Sequence, residues 1–230
     1  MQELYSTALD MCQWGERNNA ATAIFSEHHS SPDGYLPSPL IMAAAAAART
    51  ETLTFNVGAL LLLMYDPIKL AEDIAVLDHL SSGRIGYTIG LGYREEEYAM
   101  FGIDSKQRGK EIEERIRTLR NALTGEPFEW RGRQIQIQPK PVTPGGPIIA
   151  YGGGSRAAAE RAARLGMMFF PQTADPAMAA FYDAEAKKVG NPAGMTMGPE
   201  EGAPTTLCHR KPRSRVGPIW AIYASRCDLI

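Results

Sequence analysis

Ser26-Glu27-His28-His29-Ser30-Ser31-Pro32-Asp33-Gly34-Tyr35 is the stretch on which the reading of this chain turns. It ends a short apolar run, Thr22 to Ser26, that reads as a buried strand. A charged and aromatic cluster directly after a buried strand sits where α/β folds gather their sites, at the carboxyl ends of strands. Histidine exchanges protons near neutral pH, and two adjacent histidines must point in different directions. One of His28 and His29 can therefore face a pocket while the other is held by packing. A pair of hydrogen-bonded loop histidines explains the same residues equally well. A metal site fits less well, because no cysteine or further histidine stands nearby.

Outward from this stretch, short apolar runs alternate with amphipathic ones. Leu4, Ala8, Met11 and Cys12 share one helical face before Asn18-Asn19 ends the helix. Pro37-Ser38-Pro39 opens a helix from Leu40 to Ala48, and Leu53 to Leu63 reads as a long strand. Asp66-Pro67 starts a helix with an N-cap carboxylate and a proline where no N–H is missed. Leu70, Ile74, Leu77 and Leu80 continue its apolar face until Gly83. Ile85 to Ile89 is the next strand and Arg108 to Leu123 the next helix, with Ile112, Ile116, Leu119 and Leu123 on one side. Phe128 to Ile137 reads as a hairpin turning at Arg131-Gly132. Ile148 to Tyr151, Ser155 to Leu165, Met167 to Phe170 and Asp175 to Val189 complete the alternation of strand and helix. This rhythm demands a parallel sheet covered by helices. It does not separate a closed barrel from an open doubly wound sheet.

The 230 residues are 44% hydrophobic, enough for one sizeable core, and the net charge of −2 selects no class of partner. The charge is uneven: from residue 206 onward five basic residues face Asp228 alone. That tail lacks the helical or aromatic patterning of a nucleic-acid binder. Cys12, Cys208 and Cys227 are odd in number and have no metal-like spacing. No signal-type core or long apolar span is present, so the expected setting is soluble and cytoplasmic, with neither nucleic acid nor membrane as partner.

An ordered set of motifs resembles the bacterial luciferase-like monooxygenase family. Glu27-His28-His29 is followed by Gly34-Tyr35 and Pro37-Ser38-Pro39, then by Asn56-Val57-Gly58 through Met64 and Asp66-Pro67. Leu77-Asp78-His79-Leu80-Ser81-Ser82-Gly83-Arg84 is similar to the family's Leu-Asp-x-Leu-Ser-x-Gly-Arg signature. Gly90-Leu91-Gly92-Tyr93, Phe101-Gly102 and Gly152-Gly153-Gly154-Ser155 follow in order. The resemblance implies a TIM-type (β/α)8 barrel that binds FMN, or in some branches the reduced deazaflavin coenzyme F420. It makes His28 the active-site histidine, supported by His29 and Glu27. It places Gly58, Ala59 and Leu60 under the flavin ring, with a cis peptide at Ala59-Leu60, and Gly90, Gly92, Tyr93 and Arg94 along the pocket. Gly152-Gly153-Gly154-Ser155 has a case of its own. Glycines permit close backbone approach, and a serine cap leaves helix N–H groups facing an anion such as a phosphate. Glu95, Glu96 and Glu97 read as a solvated helix start, one of them a possible acid in the deazaflavin branch. Asp78 and Arg84 read as a structural ion pair at a helix end.

Against the family pattern, the expected barrel is incomplete. The usual first strand and the last two strand-helix units are missing. The barrel portion is expected over residues 1–207 and a basic, irregular tail over 208–230, the latter suggesting a frameshifted ending. Three functions follow from the resemblance. One is oxidation of a small organic substrate by reduced flavin and O2, with a separate flavin reductase as a possible partner. The second is hydride transfer with deazaflavin. The third is flavin binding without turnover. A homodimer that packs the alanine-rich helix is also implied.

Overall fold

The computed structural model describes residues 1–173, 175–196, 205–207 and 221–223. Helix α1 (Gln2–Arg17) precedes β1 (Thr22–Phe25), α2 (Pro39–Ala47), β2 (Thr54–Leu61), α3 (Pro67–Ser81) and β3 (Ile85–Gly90). Then come α4 (Glu95–Met100), α5 (Arg108–Leu123), a hairpin of β4 (Phe128–Trp130) and β5 (Arg133–Ile135), β6 (Ile149–Gly153) and α6 (Arg156–Arg164). Strand β7 (Met168–Pro171), α7 (Pro176–Lys188), β8 (Thr205–Leu207) and β9 (Ala221–Tyr223) complete the described elements. Seven strands form one sheet in the order β7-β6-β3-β2-β1-β9-β8. The five from β7 to β1 run parallel, whereas β9 lies antiparallel to β1 and β8 antiparallel to β9.

Local chemistry explains the boundaries. Asp66 accepts from the backbone N–H groups of Ile68 and Lys69, and α3 stops at left-handed Ser82 and Gly83. Arg131 and Gly132 both have positive φ, the backbone that a two-residue hairpin turn demands. Val57, Leu60, Ile89, Tyr151 and Phe169 of the sheet are fully buried, as are Leu70 and Ile74 of α3 and Ile112, Ile116 and Leu119 of α5. Burying side chains of this size is worth roughly 1.5–3 kcal/mol each, and this is what holds helices to sheet.

Several expectations need correction. Leu80 is 62% exposed, because Ser81, four residues after Leu77, takes the inward position. Leu4 is likewise exposed on α1. Asp78 and Arg84 do not pair. Asp78 accepts from the N–H and hydroxyl of Thr143, and Arg84 donates to the carbonyls of Ala47, Thr50, Leu53 and Ser81. Both remain structural, each sewing a helix end to a neighbouring loop. The tail expected to be irregular contributes β9, and the rest of 208–230 lies outside the described residues. Among the described residues β7 and β8 end the sheet without pairing to each other, so the sheet is not seen to close.

Candidate active site

The carboxyl ends of β1, β2, β3, β6 and β7 open into one cavity of about 790 Å³. Glu27, His28, Gly58, Ala59, Gly90, Gly92 and Tyr93 line it on one side, and Gly152, Gly153, Gly154 and Ser155 on the other. The histidine stretch and the glycine turn, distant in sequence, thus share a single space. His29 and Leu60 contribute no surface to it. Leu60 is fully buried in the core.

His28 leaves β1 with its backbone N–H donating to Leu36 O at 3.1 Å. Its Nδ1 lies 2.9 Å from Glu97 Oε1, and its ring meets the rings of Tyr35 and Tyr93 edge-on at centroid distances of 4.9 and 5.6 Å. Glu97 is 1% exposed and its Oε1 also accepts from the backbone N–H of His29 at 2.9 Å. An ionised carboxylate only accepts, so the His28 proton sits on Nδ1 and the Nε2 lone pair is presented toward the cavity. Tyr93 Oη lies 3.4 Å from that nitrogen. Glu97 was expected on a solvated helix start with Glu95 and Glu96, whose side chains are indeed 70% and 65% exposed. A helix turns about 100° per residue, so three consecutive glutamates fan over about 200° and one of them can turn inward while the others face water. Nothing in the run marks which one turns inward.

His29 points the other way. Its Nε2 lies 2.8 Å from Glu27 Oε1 and its ring packs edge-on to Phe101 at 4.7 Å. Glu27, 2% exposed, also accepts from Tyr65 Oη at 2.7 Å and from the Leu61 N–H at 2.8 Å. Burial first, and the Glu27 carboxylate second, push the Tyr65 phenol well above its ordinary range. Glu27 therefore serves His29 rather than His28.

The floor comes from β2 and β3. The peptide between Gly58 and Ala59 is cis, one residue earlier than expected. Gly58 pairs with Thr88 and Leu60 with Ile89, so Ala59 is the extra residue of a bulge and Leu60 is returned to the core side. A Cβ on Gly90 would come within 2.6 Å of Ala59 Cβ, which demands glycine there.

The far wall is the turn from β6 into α6. Ser155 Oγ accepts from Ala158 N at 3.2 Å, and a Cβ on Gly153 would lie 2.6 Å from Ala158 Cβ. Close packing of this kind brings the backbone and the helix start to the cavity surface. Two cations unread from the sequence stand here. Arg161 is held by Glu113 Oε1 and Tyr151 Oη, each at 3.2 Å, and Arg108 lies over the Tyr98 ring. For Arg161 a signal existed: Ser155, Ala158 and Arg161 recur every three residues along one helix face. Free helix N–H groups with two guanidinium groups make an anion cradle. The cavity thus offers an imidazole acceptor at one end, an anion cradle at the other and a glycine-lined floor between. No helix of the described residues is long and apolar enough to cross a membrane.

Comparison with known proteins finds a family model described as luciferase-like monooxygenase that matches residues 2–213. Limonene 1,2-monooxygenase of Rhodococcus erythropolis is 29% identical over 64% of this chain and 42% of its own length. The oxygenase component of the flavin-dependent trigonelline monooxygenase of Acinetobacter baylyi is 28% identical over 64% of this chain and 43% of its own. The chain thus spans less than half the length of these curated relatives. Among solved structures, the oxygenating constituent of 3,6-diketocamphane monooxygenase from Pseudomonas putida, in complex with FMN, superposes with a TM-score of 0.75 at 20% identity. That match covers 86% of this chain and 62% of the other.

Proposed function

Because the chain belongs to the luciferase-like monooxygenase family, we propose that its main cavity holds a reduced flavin, FMN, and that it serves oxidation of a small organic substrate by O2. The observation that carries this reading is the shared cavity, with the His28 imidazole and the Gly152–Ser155 turn on its opposite walls. The residues fit the group. Backbone approach at Gly152 to Gly154, the start of α6, Arg108 and Arg161 suit a phosphate, and the bulge at Gly58-Ala59 offers a floor free of long side chains. When bound, the flavin supplies the electrons and the oxygen chemistry; the protein orients and shields it. His28 Nε2 accepts or returns a proton at the reacting end, and Glu97 fixes the ring and its tautomer. Tyr93 and Tyr35 border the histidine and set the shape of the substrate side.

The relative named as an oxygenase component supports a separate partner that supplies reduced flavin. A homodimer through α2 is supported by Ile41, 73% exposed on that alanine-rich helix. Coenzyme F420 and hydride transfer remain the second reading, favoured by the carboxylate of Glu97 beside His28. Titration with reduced FMN and with reduced F420 while melting the protein separates the two, because only the ligand that binds the folded state raises Tm. His28→Asn should leave FMN binding within a few-fold and lower turnover by about 10²-fold or more. Undiminished turnover would remove His28 from the chemistry.

A further inference from the structure

Arg94, expected along the pocket, contributes no surface to it. It caps the start of α4, and its side chain is 22% exposed. Its Nη1 donates to the His29 carbonyl at 3.3 Å and lies 3.5 Å from Glu97 Oε1. That same oxygen meets His28 Nδ1 and the His29 N–H, each at 2.9 Å. Arg94 and Glu97 therefore grip the backbone of His29 from its two polar ends. Two further carboxylates neighbour Arg94. Glu96 Oε1 is 3.5 Å from Nη2. The Asp33 carboxyl is held below its ordinary range by the Ser31 hydroxyl first, with the Arg94 charge adding to the effect. Both are exposed, and ion pairs in water are worth little. Glu97, 1% exposed, is the carboxylate for which a nearby cation matters.

We propose that Arg94 is a positioning residue: its guanidinium balances the buried Glu97 carboxylate, so that Glu97 orients His28 without drawing a second proton onto the ring. This rests on the reading of His28 as the proton acceptor of the flavin cavity. A carboxylate alone beside an imidazole favours the doubly protonated ring, which has no lone pair to offer. A cation at the same carboxylate oxygen offsets that pull. One positive charge, one negative charge and a neutral imidazole then stand together, and Nε2 still accepts. His28 is otherwise faced by the rings of Tyr35 and Tyr93. The charged groups that line the same cavity have partners of their own. Glu27 serves His29 and Tyr65, Arg108 lies 3.7 Å from Glu95, and Arg161 is held by Glu113. The competing account is a tether, in which Arg94 ties the start of α4 to the His29 carbonyl and its charge is incidental.

The test follows the His28 ring nitrogens by NMR through a pH titration of the flavin-free protein. Arg94→Gln removes the charge but keeps a donor for the His29 carbonyl; Arg94→Met replaces it in the comparison if that variant does not fold. The midpoint at which Nε2 gains a proton should move up from that of wild type by roughly one unit or more. Arg94→Lys, which keeps the charge, should recover most of that shift. In a Glu97→Gln background the effect of Arg94→Gln should fall to less than half, because the carboxylate that Arg94 balances is gone. FMN affinity should stay within a few-fold, since Arg94 lies outside the cavity lining. An unmoved midpoint, or an equal shift in both backgrounds, overturns the proposal and leaves the tether. Failure of the wild type to bind FMN counts against the flavin reading instead. The ring titration, which needs no flavin, still decides on Arg94.

Discussion

His28 and His29 show how little spacing says about roles. Adjacent residues in an extended segment point apart, so chemistry and packing were bound to be divided between them. Their partners come from different distances along the chain. Glu97, from the first turn of α4, takes His28; Glu27, two residues away and itself held by Tyr65, takes His29. Because Glu97 does not line the cavity, it acts through the imidazole. Glu97→Gln keeps an oxygen that can accept from His28 Nδ1 but removes the charge that stabilises the protonated ring. We expect FMN affinity to change little, kcat to fall by about 10²-fold and the pH profile of kcat to shift. Unchanged kcat, with an unchanged profile, would show that His28 works without it.

Among the elements, bounds and types were largely legible where local signals agreed. Asp66-Pro67 and Ser155 start their helices with a side chain that accepts from the first turn, and both starts read directly from the sequence. The bulge at Ala59 has no such signal, since a glycine within a strand is compatible with a bulge, a kink or neither. Glu16 illustrates a tie between elements that sequence conceals. Near the end of α1, its carboxylate accepts from the N–H groups of Glu51, Thr52 and Leu53 and from the Thr52 hydroxyl, so α1 is pinned to the loop before β2. These bonds, that of Thr52 N–H foremost, hold its pKa down at about 2, against an ordinary 4.5. A depressed carboxylate stabilises the fold above its unfolded pKa and loses that contribution as pH falls through its folded pKa. Glu16→Gln should therefore lower stability at pH 7 by about 1–2 kcal/mol, after allowance for solvent screening. The difference from wild type should shrink between pH 4.5 and 2 in denaturant melts. A gap that persists at pH 2 would assign the effect to packing instead.

At the scale of the whole molecule, the sheet has a cavity face and a helix face. Thr88 lines the cavity, so its neighbour Tyr87 points to the other face, 2% exposed. Among the described residues the Tyr87 hydroxyl has no hydrogen-bond partner, and burial followed by the Asp78 carboxylate holds the phenol far above its ordinary pKa. An unpaired buried hydroxyl costs about 1–3 kcal/mol. Tyr87→Phe should then raise Tm by about 2–4 °C for each kcal/mol recovered. A fall in Tm would mean that a buried water satisfies the group.

Sequence alone determined the α/β alternation, the parallel strands β1, β2, β3, β6 and β7 and the stretches from which the cavity is built. These follow from hydrophobic periodicity, caps and glycines, all of which act over a few residues. The tertiary structure decided which glutamate turns inward, which histidine faces the cavity, where the cis peptide falls and which arginines reach the anion cradle. The antiparallel placement of β9 beside β1 belongs to the same group. Each depends on contacts between segments dozens of residues apart, where burial and hydrogen-bond satisfaction choose among side chains that look alike in the sequence.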